Sequence, residues 1–257
     1  MAERSAQIIA DLCIDAHRSG HHVETVALGI CEVVDGEGAL CSRSTIDWVG
    51  LDLDRALKIQ LPIHVVSDVR AAALAEARLG AARGVSHALY VSIGTGISST
   101  LLIEGKPYAG AHGAALVLAS AKTVQHGDAC GSSSHTLERV ASGAGLVERY
   151  GQASSIDARE IIRRAEAGDD AARAVVRRAS TLLGEAIAQL ANCIDPEVIV
   201  VGGGLGTARG LYWDLLRPAI ESGLWKGQPA IATIVQSVLG ADCGVAGAAL
   251  AACDGVH

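Results

Sequence analysis

The chain has 257 residues, of which 50% are hydrophobic and 19% charged, with a formal net charge of −7. High apolar content and a charged fraction below the ~25% of ordinary soluble domains exclude a disordered chain and leave room for a sizeable core, in one large domain or two small ones. A pI near 5.7 and the absence of any basic run exclude a nucleic-acid or anionic-membrane footprint, so the expected partner is a small molecule or a second copy of the chain.

Aromatic residues make up 3% and Phe is missing, so burial must come from Ala, Val, Leu and Ile, which suit close packing of helices on a sheet. Only four of the 21 basic residues are Lys, a bias that reads as GC-rich coding. The opening MAERSAQIIADLC lacks the layout of a signal peptide, and no stretch approaches the ~18 apolar residues of a membrane helix. A cytoplasmic protein is expected. Seven cysteines occur without a CxxC pair, which argues against a disulfide framework and against a complete zinc module.

Short β-branched runs alternate with Ala-rich helical stretches, the pattern of an α/β protein. Within Ser5 to Arg18, Ile8, Ile9, Leu12 and Cys13 recur at helical spacing. ETVALGICEVVD predicts a strand from about Val26 to Val34, ended by the turn residues DGEG. Asp47 to Leu57 reads as a turn and a short helix. After Pro62, IHVVSD is a buried strand that passes into the helix VRAAALAEARLGAA. ALYVSIGTGISSTLLIEGKP predicts a hairpin with strands Leu89 to Ile93 and Thr100 to Ile103 and GTGISS at the bend.

Residues 110 to 136 read as an irregular excursion rich in Gly, Ser and His. Helices follow in LERVASGAGLVERYG and in the long stretch that ends QLANCI, where Leu182, Leu183, Ala186, Ile187 and Leu190 form one apolar stripe. Pro196 stops that helix. EVIVVGGGLG is a buried strand running into a glycine turn. A helix around Leu211 to Ile220, a strand in IATIVQSVLG and the small-residue helix GVAGAALAA close the chain.

Several segments carry candidate chemistry, each with a structural alternative. In Gly94 to Ser99, glycines let backbone N–H groups approach a phosphate while Thr95, Ser98 and Ser99 add hydroxyls; an ordinary hairpin turn needs the same residues. The segment joins strand to strand and has Ser99 at the third glycine position of the Rossmann fingerprint, which disfavours a dinucleotide. Gly202, Gly203 and Gly204 end a buried strand and could let a base or ribose lie on bare backbone, or could serve only a tight turn. Asp68, at the end of its strand, is a candidate general base or the N-cap of the next helix. Glu138 could bind a sugar hydroxyl or simply begin its helix. His112, His126, Cys130 and His135 share one stretch, but zinc modules show two closely spaced ligand pairs, and the Cys130 to His135 pair has no second pair to match it.

The segments GICEVVD, IHVVSDVRAAALAE, YVSIGTGISSTLLIEGKPYAGAHG, LERVASG, DPEVIVVGGGL and ADCGVAGAALAA, in this order from about Glu24 to the end, resemble the ROK family of bacterial sugar kinases and regulators. The resemblance implies an actin-like ATPase (ribonuclease H-like) architecture of two α/β lobes. Residues 1–87 would form an incomplete amino-terminal lobe and 88–257 the carboxy-terminal lobe, with the last helix packing back on the first.

By the same resemblance Asp68 is the base for the sugar's 6-hydroxyl, and Gly94, Thr95 and Gly96 form a phosphate loop. Gly202, Gly203 and Gly204 match an adenosine motif, while Ser67, Glu138 and Gly110 belong to the sugar side. ATP with Mg²⁺ is the implied phosphoryl donor, and a homodimer the implied assembly. The family's usual Asn is Ser67 here, and Val117 and Ser120 stand where it has a Glu and a zinc-binding His. The zinc segment is reduced to ACGSSSHTLE, so structural zinc is expected to be absent. Contacts at the C1–C2 end of the sugar should then differ, which suits a modified sugar such as kanosamine.

The family's opening DxGGT-type phosphate turn has no counterpart in MAERSAQIIADLC: either the start codon is placed too late, or one jaw of the phosphate clamp is absent, in which case weak ATP binding is expected. The expected function is an ATP-dependent hexose or aminohexose kinase. The alternative is a non-catalytic sugar-binding or regulatory protein. A repressor is disfavoured, since no basic helix-turn-helix precedes the sugar-binding part.

Overall fold

The fold is that of a computed structural model, which describes residues 2–123, 135–151, 156–227 and 231–257. It divides into two units: Met1–Ala75 with Pro107–Ala115 and Asp242–His257, and Glu76–Lys106 with Leu116–Ala241. Both are therefore discontinuous in sequence.

In the first unit, α1 (Ala2–Arg18) carries Glu3 in its first turn and His17 and Arg18 in its last, each placed to suit the helix dipole. It buries Ile9, whereas Ile8 and Leu12 of the expected apolar face are exposed. Strand β1 (Val26–Ile30) pairs in parallel with β2 (Ile63–Ser67), in register from Val26 opposite Ile63 to Ile30 opposite Ser67. Between them lies α2 (Leu53–Leu57), capped by Asp52, whose carboxylate accepts the Arg55 N–H at 3.0 Å.

Strand β1 stops four residues before the expected end because Glu32 leaves the ladder. Its buried carboxylate accepts the N–H groups of Ser44 at 2.9 Å and Ile46 at 2.7 Å, and also those of Thr45 and the Ser42 hydroxyl. Burial pushes this carboxyl up, but the donors together outweigh that and bring it down to about 2. Val34 retains one antiparallel bridge, to Leu40.

Helix α3 (Asp68–Leu79) follows β2 directly, and the division between the units falls inside it. Its alanines are small for a reason: a Cβ on Gly247 of α10 (Cys243–Asp254) would lie 1.7 Å from the Ala71 carbonyl oxygen. The two helices meet backbone to backbone there, and Val66, Leu74, Ala248 and Ala251 complete a buried cluster.

The second unit is built on a five-stranded sheet of order β5-β4-β3-β8-β9, comprising β3 (His87–Ile93), β4 (Ile97–Ile103), β5 (Lys106–Pro107), β8 (Val198–Gly202) and β9 (Thr233–Gln236). Strands β3 and β4 are antiparallel, and β8 is parallel to both β3 and β9. The bend of the hairpin is shorter than expected: Ile97, Ser98 and Ser99 pair with Ile93, Ser92 and Val91, which leaves Gly94, Thr95 and Gly96 as the turn. Two short strands, β6 (Lys122–Thr123) and β7 (His135–Thr136), also pair.

Helices α4 (Leu137–Ala141), α5 (Gly143–Tyr150), α6 (Ala158–Glu166), α7 (Asp170–Ile194), α8 (Gly203–Gly206) and α9 (Leu211–Gly223) complete this unit. In α7 the stripe buries Leu183 and Ile187 against Leu216 and Ile220 of α9, and Gly184 admits Ala219 at 2.5 Å from a would-be Cβ. It ends at Ile194, with Asp195 as its left-handed C-cap at φ 49° just before Pro196.

Candidate active site

In the first unit the carboxyl ends of β1 and β2 point toward the start of α3, the position at which open α/β sheets collect ligands. Ser67 is the last, buried residue of β2, and Asp68 is the first residue of α3. The Asp68 carboxylate accepts the N–H of the next residue, Val69, at 2.7 Å, and the residue stands where the strand passes into the helix. Burial raises its pKa above the ordinary aspartate value, and the Val69 bond opposes that only in part. Gly29 of β1 faces it, with a would-be Cβ 4.0 Å from the Asp68 Cα.

Arg70, two residues on, points into the protein. Its side chain is buried, and one guanidinium nitrogen, Nη2, donates to the Val34 carbonyl, while Nε and Nη1 have no partner among the described residues. The same carbonyl meets Gly113, where a Cβ would approach to 2.1 Å and φ is +74°. Gly110 also has positive φ, +75°, and lies against Ala115. The glycines of GAHG therefore shape a tight loop on Val34. His112 within it is exposed.

In the second unit the turn Gly94-Thr95-Gly96 is held by its neighbours. Gly94 N–H donates to the Gly96 carbonyl at 2.9 Å. The first turn of α5 then takes two carbonyls: Gly143 N–H donates to Gly94 O at 2.8 Å and Ala144 N–H to Thr95 O at 3.1 Å. A trans peptide sets its N–H opposite its C=O, and no peptide bond here is cis. With those carbonyls directed at α5, the N–H groups of Thr95 and Gly96 point the other way, side by side. Two such amides could donate to an anion.

Ser142 caps α5 by accepting Gly145 N–H at 3.0 Å, and Gly143 can have no side chain, since its Cβ would lie 2.8 Å from Gly94 O. Glu138 completes the surroundings of the turn, with Oε2 accepting Ile97 N–H at 2.8 Å. Ser99, expected to offer a hydroxyl to a ligand, instead donates it to the Leu116 carbonyl at 2.5 Å.

The glycine cluster after β8 separates into positions with different reasons. A Cβ on Gly202 would collide with the Tyr90 hydroxyl at 2.2 Å, and Gly203 has φ +79° with the Ile93 carbonyl 2.5 Å from its would-be Cβ. Both must be glycine for packing and backbone conformation. Among the described residues a Cβ on Gly204 would meet only Arg159 Nη2, at 4.0 Å, so its face is open toward them.

Val117 and Ser120 lie on a short 3₁₀ turn in which Ser120 Oγ donates to Val117 O at 2.9 Å. His126 and Cys130 lie outside the described residues, and the backbone of His135 pairs with Thr123. Among the described residues no group of three or more His, Cys, Asp or Glu could hold a metal ion. Sequence reasoning missed Glu32, Arg70 and Gly143. For Gly143 a signal existed in the Ser-Gly pair after LERVA; for the buried charges there was none.

Residues 2–254 match the model of the ROK family. The bifunctional enzyme NanE/NanK of Brucella melitensis is 37% identical over 189 residues, 73% of this chain and 35% of that protein, so the match spans about a third of the relative's length. N-acetylmannosamine kinase of Escherichia coli O139:H28 is 30% identical over 197 residues, 74% of this chain and 67% of that one. Among solved structures, a ROK family glucokinase from Streptomyces griseus in complex with glucose and AMPPNP superposes with a TM-score of 0.79 at 29% identity, covering 97% of this chain and 87% of that one.

Proposed function

The chain belongs to the ROK family and has the actin-like ATPase fold of that family's sugar kinases; from this premise we propose that it is an ATP-dependent kinase acting on the 6-hydroxyl of a hexose or aminohexose. The observation that carries the reading is the pair of outward N–H groups on Thr95 and Gly96, held by α5, because phosphoryl transfer needs positioned donors on phosphate oxygens more than it needs covalent chemistry.

Asp68 takes the proton of the sugar hydroxyl as that oxygen attacks the γ-phosphorus. The bond from phosphorus to the bridging oxygen breaks, ADP leaves, and the proton stays on Asp68. A carboxylate with a raised pKa is a stronger base than a solvated one, which suits this task. The open face of Gly204 favours the adenosine end of the nucleotide. Magnesium accompanying ATP supplies charge neutralisation to the phosphates, whose oxygens the Thr95 and Gly96 amides would also meet.

The choice of sugar rests on the relatives: one is a glucokinase in complex with glucose, another an N-acetylmannosamine kinase. Val117 and Ser120 add the suggestion of altered contacts near C1 and C2. A coupled ADP-release assay across glucose, mannose, fructose, N-acetylmannosamine and kanosamine tests the reading. Turnover with at least one sugar is expected, reduced by about 10²–10⁴-fold in Asp68→Asn. Turnover unchanged by that substitution overturns the mechanism, and sugar binding without ADP release favours the non-catalytic alternative.

A homodimer is part of the same proposal, read by light scattering as twice the 26.2 kDa of one chain. No helix among the described residues is long and apolar enough to cross a membrane.

A further inference from the structure

We propose that Glu138 is a positioning residue for the glycine turn, so that a side chain expected on the sugar side also sets the geometry of the nucleotide's phosphate donors. This rests on the kinase reading for its functional consequence, but the contact itself does not.

Helix α4 is short yet fixed: Leu137, Val140 and Ala141 are buried, Leu137 N–H donates to Ala121 O at 2.7 Å, and Thr136 caps the helix. Glu138 therefore extends from a rigid base. Its Oε2 accepts the N–H of Ile97, the first residue after the turn, at 2.8 Å. It also lies 2.6 Å from where a Cβ on Gly96 would stand. The Gly96 position must be glycine as long as the carboxylate occupies that place.

From the other side, Gly143 and Ala144 hold the carbonyls of Gly94 and Thr95. The seven residues Glu138 to Ala144 thus grip the turn at two of its carbonyls and at its exit. Removing the grip at the exit would free the Gly96–Ile97 peptide, whose carbonyl accepts the Gly94 N–H, and so loosen the turn that carries the two outward N–H groups. The other carboxylate oxygen, Oε1, carries no hydrogen bond among the described residues. One oxygen is committed to the turn, and the second remains available to a hydroxyl, so occupation of one is felt at the other through a single rigid group.

Three variants test this. Glu138→Ala removes the acceptor. Glu138→Gln keeps a carbonyl oxygen that can accept from Ile97. Gly96→Ala leaves Glu138 in the chain but displaces its carboxylate. Amide exchange at Ile97 in the free protein and calorimetric binding of AMPPNP are measured for each.

Glu138→Ala and Gly96→Ala are expected to speed exchange at Ile97 and to weaken AMPPNP by about tenfold or more, the size of losing one hydrogen bond to a charged acceptor. Glu138→Gln is expected to restore both. In steady state, the alanine variant raises KM for ATP as well as for sugar, while the glutamine variant raises KM for sugar alone. Exchange at Ile97 and nucleotide affinity unchanged in Glu138→Ala overturn the proposal. A parent protein that binds no nucleotide overturns the kinase reading instead, and exchange at Ile97 then decides whether Glu138 holds the turn.

Discussion

Burial lifts the Asp68 carboxyl above the ordinary aspartate value of 3.8, even though Val69 N–H favours the charged form. A carboxyl whose folded pKa is raised adds stability below its unfolded pKa and loses it as pH rises through the folded value. At neutral pH the ionised Asp68 therefore destabilises the fold. Asp68→Asn is expected to melt higher than the parent at pH 7, with the gap closing below pH 4, while turnover falls. The acid limb of kcat/KM in the parent is expected above 3.8. The glycines after β8 give a second residue-scale test. Gly203→Ala, at φ +79° against the Ile93 carbonyl, is expected to cost about 1–3 kcal/mol in urea unfolding. Gly204→Ala should unfold like the parent and bind AMPPNP less tightly, because its Cβ would meet no atom of the described residues closer than 4.0 Å. Asp68 was legible in the sequence because its strand and helix are both local signals. Arg70, two residues on, was not, because its acceptor Val34 lies 36 residues away.

At the scale of elements, the alternation of β-branched and Ala-rich runs located most strands and helices, since periodicity and turn chemistry act over a few neighbours. The misplaced ends have tertiary causes. Strand β1 ends early because Glu32 draws the segment from Ser42 to Ile46 around itself. The hairpin bend tightens because Ile97 to Ser99 find partners in β3. The small residues of α10 read as an unremarkable Ala-rich helix, and only the packing shows that Gly247 touches the backbone of α3. Gly247→Ala is expected to destabilise by about 3 kcal/mol or more, since the obstructing atom, 1.7 Å away, is a backbone carbonyl that cannot rotate aside. Chemical denaturation followed by circular dichroism measures it.

Across the whole molecule, the two units differ in how their sheets are supported. Strands β3 and β8 are paired on both sides, with the largest buried cluster around them. Strands β1 and β2 have only each other among the described residues. Hydrogen exchange is expected to be slowest in β3 and β8 and clearly faster in β1, because a two-stranded sheet has little cooperative support of its own; equal protection in β1 and β3 would contradict this. The opening composition left one domain or two undecided, and the structure divides into two compact units, each assembled from separate stretches of the one chain. By itself the sequence determined the α/β class, most elements, the order of the motifs and the strand-end place of Asp68, all of which follow from short-range pattern. Only the tertiary structure decided which glycines serve packing and which face a ligand, where Glu138 spends its carboxylate, and how α5 turns the amides of Thr95 and Gly96 outward. Those depend on partners far apart along the chain, 49 residues between Gly94 and Gly143 and 112 between Tyr90 and Gly202, and no local periodicity encodes such distances.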